Sequence, residues 1–300
     1  MDLFIYCQSN DFSSEQIDSL KSKYQKVDII HTPDFSLPKS NKKQKVIALD
    51  PDVVDWQFSN DLIGQIPNLK AICLRTTDYE WIDFEHCRKN NIIVTNLPHY
   101  ASNAVAEKCL FMALALAKKF PLFAREGKMN WATAFIGDEL RDRPTDIIGL
   151  GDIGIRLAEM LESVVGAREI CYYSRRKNAK YHYMDFQDML ERCEYMFVTV
   201  SNNPESLALF DDLSKFNKNM KIVIVASGFE EVAERLAAKC EAGELGGVAF
   251  ESDRLKRNFK SNIFVTPHNA WYTKESLVNM FEIWTNTIAA AASSPINVVN

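Results

Sequence analysis

The stretch TDIIGLGDIGIRLAEML, Thr145 to Leu161, decides how the rest of the chain is read. An apolar strand ending at Ile147 and Ile148 breaks at Gly149, and a helical pattern follows through Ile155, Leu157, Ala158 and Leu161 with no proline inside it. Gly149, Gly151 and Gly154 have the spacing G-x-G-x-x-G. Between a strand and a helix, that spacing brings a diphosphate against a helix N-terminus. The first glycine permits a tight turn, the second lets backbone approach the phosphates, and the third lets helix and strand pack closely.

Around this unit lies an ordinary globular composition. The 300 residues are 47% hydrophobic and 25% charged, enough for two domains and a sizeable core. A formal charge of -5 offers no basic face for nucleic acid. The N-terminus MDLFIYCQSN lacks a basic region followed by an apolar core. No run approaches the roughly 18 apolar residues of a membrane span, so a cytoplasmic protein is expected. The seven cysteines are scattered with no C-x-x-C pair, and the five histidines show no ligand spacing. Buried reduced thiols and no metal site are expected.

Strands are expected at Leu3 to Tyr6, Val27 to Ile30, Val46 to Leu49, Leu69 to Leu74 and Ile92 to Thr95. Helices are expected at Ser13 to Tyr24, Leu62 to Ile66 and Phe84 to Asn90. The alternation implies a parallel sheet. Ser102 to Phe120 reads as a long helix, apolar on most faces, with Pro121 stopping it. Gly127 to Pro144 is polar and irregular. After the glycine-rich unit, strands at Glu169 to Tyr173, Met196 to Val200, Ile222 to Val225 and Gly247 to Phe250 alternate with helices at Phe186 to Cys193, Asp211 to Phe216 and Glu230 to Ala242. A last helix spans Lys274 to Ala292. The chain is thus α/β, with two doubly wound parallel-sheet domains.

The strand after the glycine loop ends in Tyr172-Tyr173-Ser174-Arg175-Arg176. Ser174 stands about 20 residues past Gly154, where an NAD-binding domain usually has an acid holding the ribose 2'-hydroxyl. A carboxylate would repel a 2'-phosphate, whereas a guanidinium pairs with it in two-pronged fashion. Ser174, Arg175 and Arg176 therefore favour NADP over NAD.

Several motifs in order resemble the D-isomer-specific 2-hydroxyacid dehydrogenases, the superfamily of phosphoglycerate, glyoxylate, D-lactate and formate dehydrogenases. They are Pro67-Asn68-Leu69-Lys70, Ile93 to Pro98 running into Tyr100 and Asn103-Ala104-Val105-Ala106-Glu107, the glycine triplet, and Thr266-Pro267-His268-Asn269-Ala270-Trp271. The resemblance covers nearly the whole chain. It implies a Rossmann-type cofactor domain, 100–269, inserted in a smaller flavodoxin-like substrate domain, 1–99 plus 270–300, and a homodimer. The cofactor contacts expected with it are Gly149, Gly151, Asp152, Ile153, Gly154, Ser174, Arg175, Arg176, Val200 and Ala226. The substrate-binding residues expected with it are Arg75, Thr76, Thr77, Asp78, His99 and Tyr100.

The family's chemistry uses a histidine as proton donor, a glutamate that orients it, and an arginine that binds the substrate carboxylate and polarises the carbonyl. His268 matches the histidine. The arginine's N-T-A-R-G motif is represented by Ile224-Val225-Ala226-Ser227-Gly228, so Ser227 stands at the arginine's position. A serine carries no charge and makes no two-pronged contact. The plain count to the glutamate lands on Lys256, and Glu251 falls on a strand-end aspartate. Glu251 or Asp253 supports His268 only if the shortened loop turns inward. Asp78 replaces a usual glycine, and His99 a usual small residue. The expected function is NADP-dependent hydride transfer between nicotinamide and a small 2-oxo or 2-hydroxy acid or related carbonyl. The alternative is an impaired or inactive nucleotide-binding homologue, acting as a sensor or interaction scaffold, or an engineered variant.

Overall fold

Alternate residues of each central strand are buried on opposite faces of its sheet, as expected where helices cover both sides of parallel strands. The structure is a computed structural model that describes residues 1–8, 12–31, 36–40, 42–254 and 258–300. It divides into two units, Met1–Ala101 with Thr273–Asn300, and Ser102–Tyr272.

The first unit is built from β1 (Asp2–Cys7), α1 (Ser14–Lys23), β2 (Lys26–His31), β3 (Lys45–Leu49), α2 (Asn60–Gly64), β4 (Leu69–Leu74), α3 (Phe84–Lys89) and β5 (Ile93–Thr95). Its sheet is parallel, in the order β2-β1-β3-β4-β5. Ser13 opens α1 with a capping box closed by Gln16, satisfying two N–H groups that the first turn leaves unpaired. Leu3, Ile5, Val46, Ala48, Ala71 and Cys73 pack on one face, and Tyr6, Ile47, Leu49, Ile72 and Leu74 on the other. The C-terminal helix, which spans Lys274–Ala291, belongs to this unit. Its Trp284 is fully buried, donates from Nε1 to the Cys73 carbonyl at 3.0 Å and stacks on Phe12.

The second unit begins with α4 (Ser102–Ala117) and α5 (Phe120–Glu126). The break between them differs from the expected single helix ended at Pro121. Lys119 adopts φ +54, and Pro121 sits in the first turn of α5, where its missing N–H costs nothing. Then come β6 (Thr145–Ile148), α6 (Asp152–Met160), β7 (Ile170–Tyr173), β8 (His182–Tyr183), α7 (Phe186–Arg192), β9 (Tyr195–Val198), α8 (Pro204–Ala208), β10 (Lys221–Ile224), α9 (Glu230–Glu241), β11 (Gly247–Glu251) and β12 (Ile263–Thr266). The 18-residue helix after it is α10. The expected helix over Asp211 to Phe216 is a single 3-10 turn, Leu213–Lys215. The short β8 and α8 were not expected. The sheet is parallel, ordered β12-β11-β10-β9-β6-β7-β8. Ile148, Met196, Val198, Ile222 and Ile224 pack on one face, and Ile147, Tyr195, Phe197 and Val223 on the other.

All seven cysteines are buried and none is disulfide-bonded. Among the described residues no helix is long and apolar enough to cross a membrane.

Candidate active site

Because every strand of the seven-stranded sheet runs the same way, the turns after β6, β7, β9, β10, β11 and β12 leave it along one edge. That edge is where open parallel sheets bind their ligands. Gly149, Ser174, Val200, Ala226, Ser227, Glu251 and His268 all lie at these strand ends.

The three glycines fill three different needs. Gly149 has φ +96, and a Cβ there would meet Val200 Cγ1 at 2.8 Å. A Cβ on Gly154 would lie 2.2 Å from the Gly149 carbonyl oxygen. A Cβ on Gly151 would meet nothing within 4 Å, so the second glycine faces open space where a diphosphate has room to approach. Gly151 is the N-cap of α6, with Asp152 and Ile153 in the first turn. The Thr199 hydroxyl donates to the Gly149 carbonyl at 2.7 Å and fixes the turn. These features fit a dinucleotide.

At the end of β7, Ser174 is half-buried, while Arg175 and Arg176 are exposed. Neither guanidinium has a hydrogen-bond or ion-pair partner among the described residues. The neighbouring Lys177 is engaged instead, with Nζ 3.5 Å from the centre of the Tyr183 ring.

Glu251 ends β11 with its side chain almost wholly buried. Its Oε1 accepts the N–H groups of Asn269 and Ala270 at 3.0 and 2.9 Å. Oε2 lies 3.9 Å from His268 Nδ1. Asp253 Oδ1 accepts the backbone N–H of His268 at 3.1 Å. The two carboxylates thus divide the work: Asp253 tethers the backbone, and Glu251 faces the ring. Burial pushes the Glu251 carboxyl up, while His268, the two amides and Lys108 pull it down, and burial wins. Ala226, Glu230, Glu251 and His268 line one small pocket with Phe229 and Phe250. Ser227 is exposed in the turn beyond β10. Gly228 follows at φ +77, where a Cβ would collide with the Asn202 amide.

The family model for D-isomer specific 2-hydroxyacid dehydrogenase, catalytic domain, matches residues 7–300. The chain belongs to this family. It is a family of nicotinamide-dependent oxidoreductases. A D-lactate dehydrogenase of Staphylococcus epidermidis is 26% identical over 258 residues, covering 76% of both chains. A glyoxylate reductase of Thermococcus litoralis is 26% identical over 289 residues, covering 88% of this chain and 86% of the relative. Among solved structures, the acyclic imino acid reductase Bsp5 in complex with NADPH and D-Arg shares the fold, with TM-score 0.80 and 20% identity over the whole of both chains.

Against this dehydrogenase pattern, the second unit brings together His268, Glu251 and Asp253. Lys256, where the plain count had put the glutamate, lies outside the described residues. Lys108 and Asn269 were missed by motif reading: Asn269 falls inside a motif quoted for His268, and Lys108 lies just past the motif that ends at Glu107. Their meeting, Lys108 Nζ donating to Asn269 Oδ1 at 2.9 Å, joins residues 161 apart in sequence.

In the first unit, Arg75 follows β4 and is mostly buried. Its Nη2 lies 2.5 Å from Asp50 Oδ2, and its guanidinium carbon lies 5.9 and 6.0 Å from the rings of Phe281 and Trp284. Its charge is therefore largely met within the fold. The Asp78 N–H donates to Thr76 Oγ1 at 3.2 Å, and Thr77 Oγ1 donates to the Leu97 carbonyl at 3.1 Å. His99 adopts φ +65. Burial, and next the Asp78 charge, push the Tyr100 phenol up to about 12.

Proposed function

We propose that this chain is an NADP(H)-dependent reductase of small carbonyl compounds, in the manner of the D-2-hydroxyacid dehydrogenases, with His268 as proton donor. In this reading Ser102–Tyr272 is the cofactor domain, and the other unit is the substrate domain. The glycine loop, Val200 and Ala226 contact the dinucleotide, and Arg175 and Arg176 take its 2'-phosphate. A bound nicotinamide supplies the hydride. The observation that carries the reading is the buried Glu251 carboxylate facing His268 Nδ1 at the edge that also holds the glycine loop. With Nδ1 turned to Glu251, Nε2 is the atom that delivers the proton. The carboxylate stabilises the imidazolium and orients the ring. Arg75, Thr76, Thr77, Asp78, His99 and Tyr100 are proposed as substrate-binding residues.

Ser227 supports a second reading of the substrate. A carbonyl needs a cation to draw charge onto its oxygen, and a 2-oxo acid needs one for its carboxylate. A protonated imine is already cationic and electrophilic, so an uncharged Ser227 suits it. The neighbour Bsp5, named as an imino acid reductase, is consistent with that chemistry.

The test is NADPH oxidation with glyoxylate, pyruvate, hydroxypyruvate and phenylpyruvate, each alone and with methylamine. Turnover that vanishes in His268→Ala is expected, and turnover only with methylamine selects the imine. Tight NADP(H) binding with no turnover in either series would favour the inactive nucleotide-binding homologue. Parallel titration of NADP and NAD tests the cofactor, and equal affinity would sink the role of Arg175 and Arg176.

A cytoplasmic homodimer completes the proposal. Trp131 at 86% exposure and Ile136 at 67%, with the half-exposed Phe111, Phe120 and Met129, support a covered apolar face on the second unit. Light scattering coupled to gel filtration measures it.

A further inference from the structure

We propose that Lys108 is a positioning residue for the proton donor, holding the His268 loop through Asn269 and supplying a fixed positive charge beside Glu251. The proposal rests on the reading of His268 as the acid. Four residues stand in series, linked in part through the Asn269 backbone. Lys108, half-buried on α4, donates from Nζ to Asn269 Oδ1 at 2.9 Å. Asn269 donates its own N–H to Glu251 Oε1 at 3.0 Å, and Glu251 presents its other oxygen to His268 Nδ1 at 3.9 Å. The lysine therefore pins the residue next to His268 while its charge acts on the carboxylate that the histidine uses.

A fixed cation has a specific use here. When His268 releases its proton, the ring becomes neutral and leaves a buried carboxylate without its partner's charge. Burial raises the proton affinity of that carboxylate, and with it the hold of the pair on the proton it must deliver. The Lys108 ammonium lowers the proton affinity of that carboxylate. Ser227 brings no charge with which to do this. The other groups facing the pair are the buried Cys109 thiol, next to Lys108 on α4, Asp253 at the His268 N–H, and Glu230 on the wall of the same pocket. Burial, and next the Glu251 charge, push the Cys109 thiol up, so it adds no negative charge at neutral pH.

Removing a positive charge raises the proton affinity of every group near it, so the direction of the effect is set by electrostatics. The test is an NMR pH titration of the His268 ring proton in the full chain, assigned with His268→Gln, for the unsubstituted protein, Lys108→Met, Lys108→Arg and the control Lys118→Met. The His268 signal should titrate at higher pH in Lys108→Met, and should be restored by Lys108→Arg and unmoved by Lys118→Met. A curve unmoved in Lys108→Met, or moved equally by Lys118→Met, would overturn the proposal. Where a substrate is turned over, both limbs of the kcat profile should move upward in pH in Lys108→Met, with the KM for NADPH unchanged. A lowered rate on an unshifted profile counts against the proposal. The titration needs no turnover, so a shifted curve in a protein inactive on every substrate keeps this proposal and removes the reductase reading alone.

Discussion

Asp146 sits in β6, the strand that delivers the glycine turn, and is fully buried, with the buried Cys193 thiol as its side-chain hydrogen-bond partner. The guanidinium of Arg192 comes no closer than 4.0 Å. Burial, only partly offset by Arg192, pushes the carboxyl up to about 6. In the unfolded chain the same group titrates near 3.9, so folding raises its proton affinity by roughly 2 units, or about 3 kcal/mol. A raised carboxyl is neutral and costs nothing below about pH 4. As pH climbs, the folded state must ionise it out of water, and the cost is fully present above about pH 6. Asp146→Asn removes this dependence, and Arg192 keeps Glu169 at 3.0 Å as a partner. The assay is urea denaturation of both proteins at about pH 5 and pH 8. The unsubstituted chain should lose roughly 1.5 kcal/mol relative to the variant across that interval, half the full span, with equal m-values. The comparison between proteins cancels every other titrating group. A difference that stays flat with pH, or runs the other way, would refute the buried-carboxylate reasoning.

Gly151→Ala should leave stability within about 1 kcal/mol, since its Cβ meets nothing within 4 Å, yet weaken NADP(H) binding measured by calorimetry. Gly154→Ala should instead lower the unfolding free energy, by about 1 to 3 kcal/mol read from denaturation, because its Cβ collides with the Gly149 carbonyl. Ser227→Arg should raise kcat/KM for a 2-oxo acid by about 10- to 100-fold if the rest of the site is assembled, a gain no larger than the roughly 100- to 1000-fold lost when such donors are removed. If the substrate is an iminium, the same change should lower the rate. Trp284→Ala should cost about 3 to 5 kcal/mol, read by denaturation, since it empties a fully buried site and removes the indole donor to the Cys73 carbonyl.

Local patterns on this chain were legible because they specify backbone geometry over a few residues. Gly149 needs a positive φ, Gly154 needs contact with the carbonyl of Gly149, and both demands are written in the spacing. The strands read as apolar runs because helices cover both faces of each sheet. Helix ends were less legible. The break at Lys119 depends on one left-handed residue, and Pro121 is as compatible with starting a helix as with stopping one.

The sequence by itself determined the α/β class, the dinucleotide loop, the family, and the candidacy of His268, because each rests on residue types at short fixed spacings. Only the tertiary structure decided that Glu251 faces the His268 ring while Asp253 holds its backbone, that Lys108 reaches Asn269, and that Asp50 meets the charge of Arg75. Those pairings join residues from 15 to 161 positions apart. The physical reason is that a side chain's partner is set by where parallel strands deliver their ends in space, which no local spacing encodes.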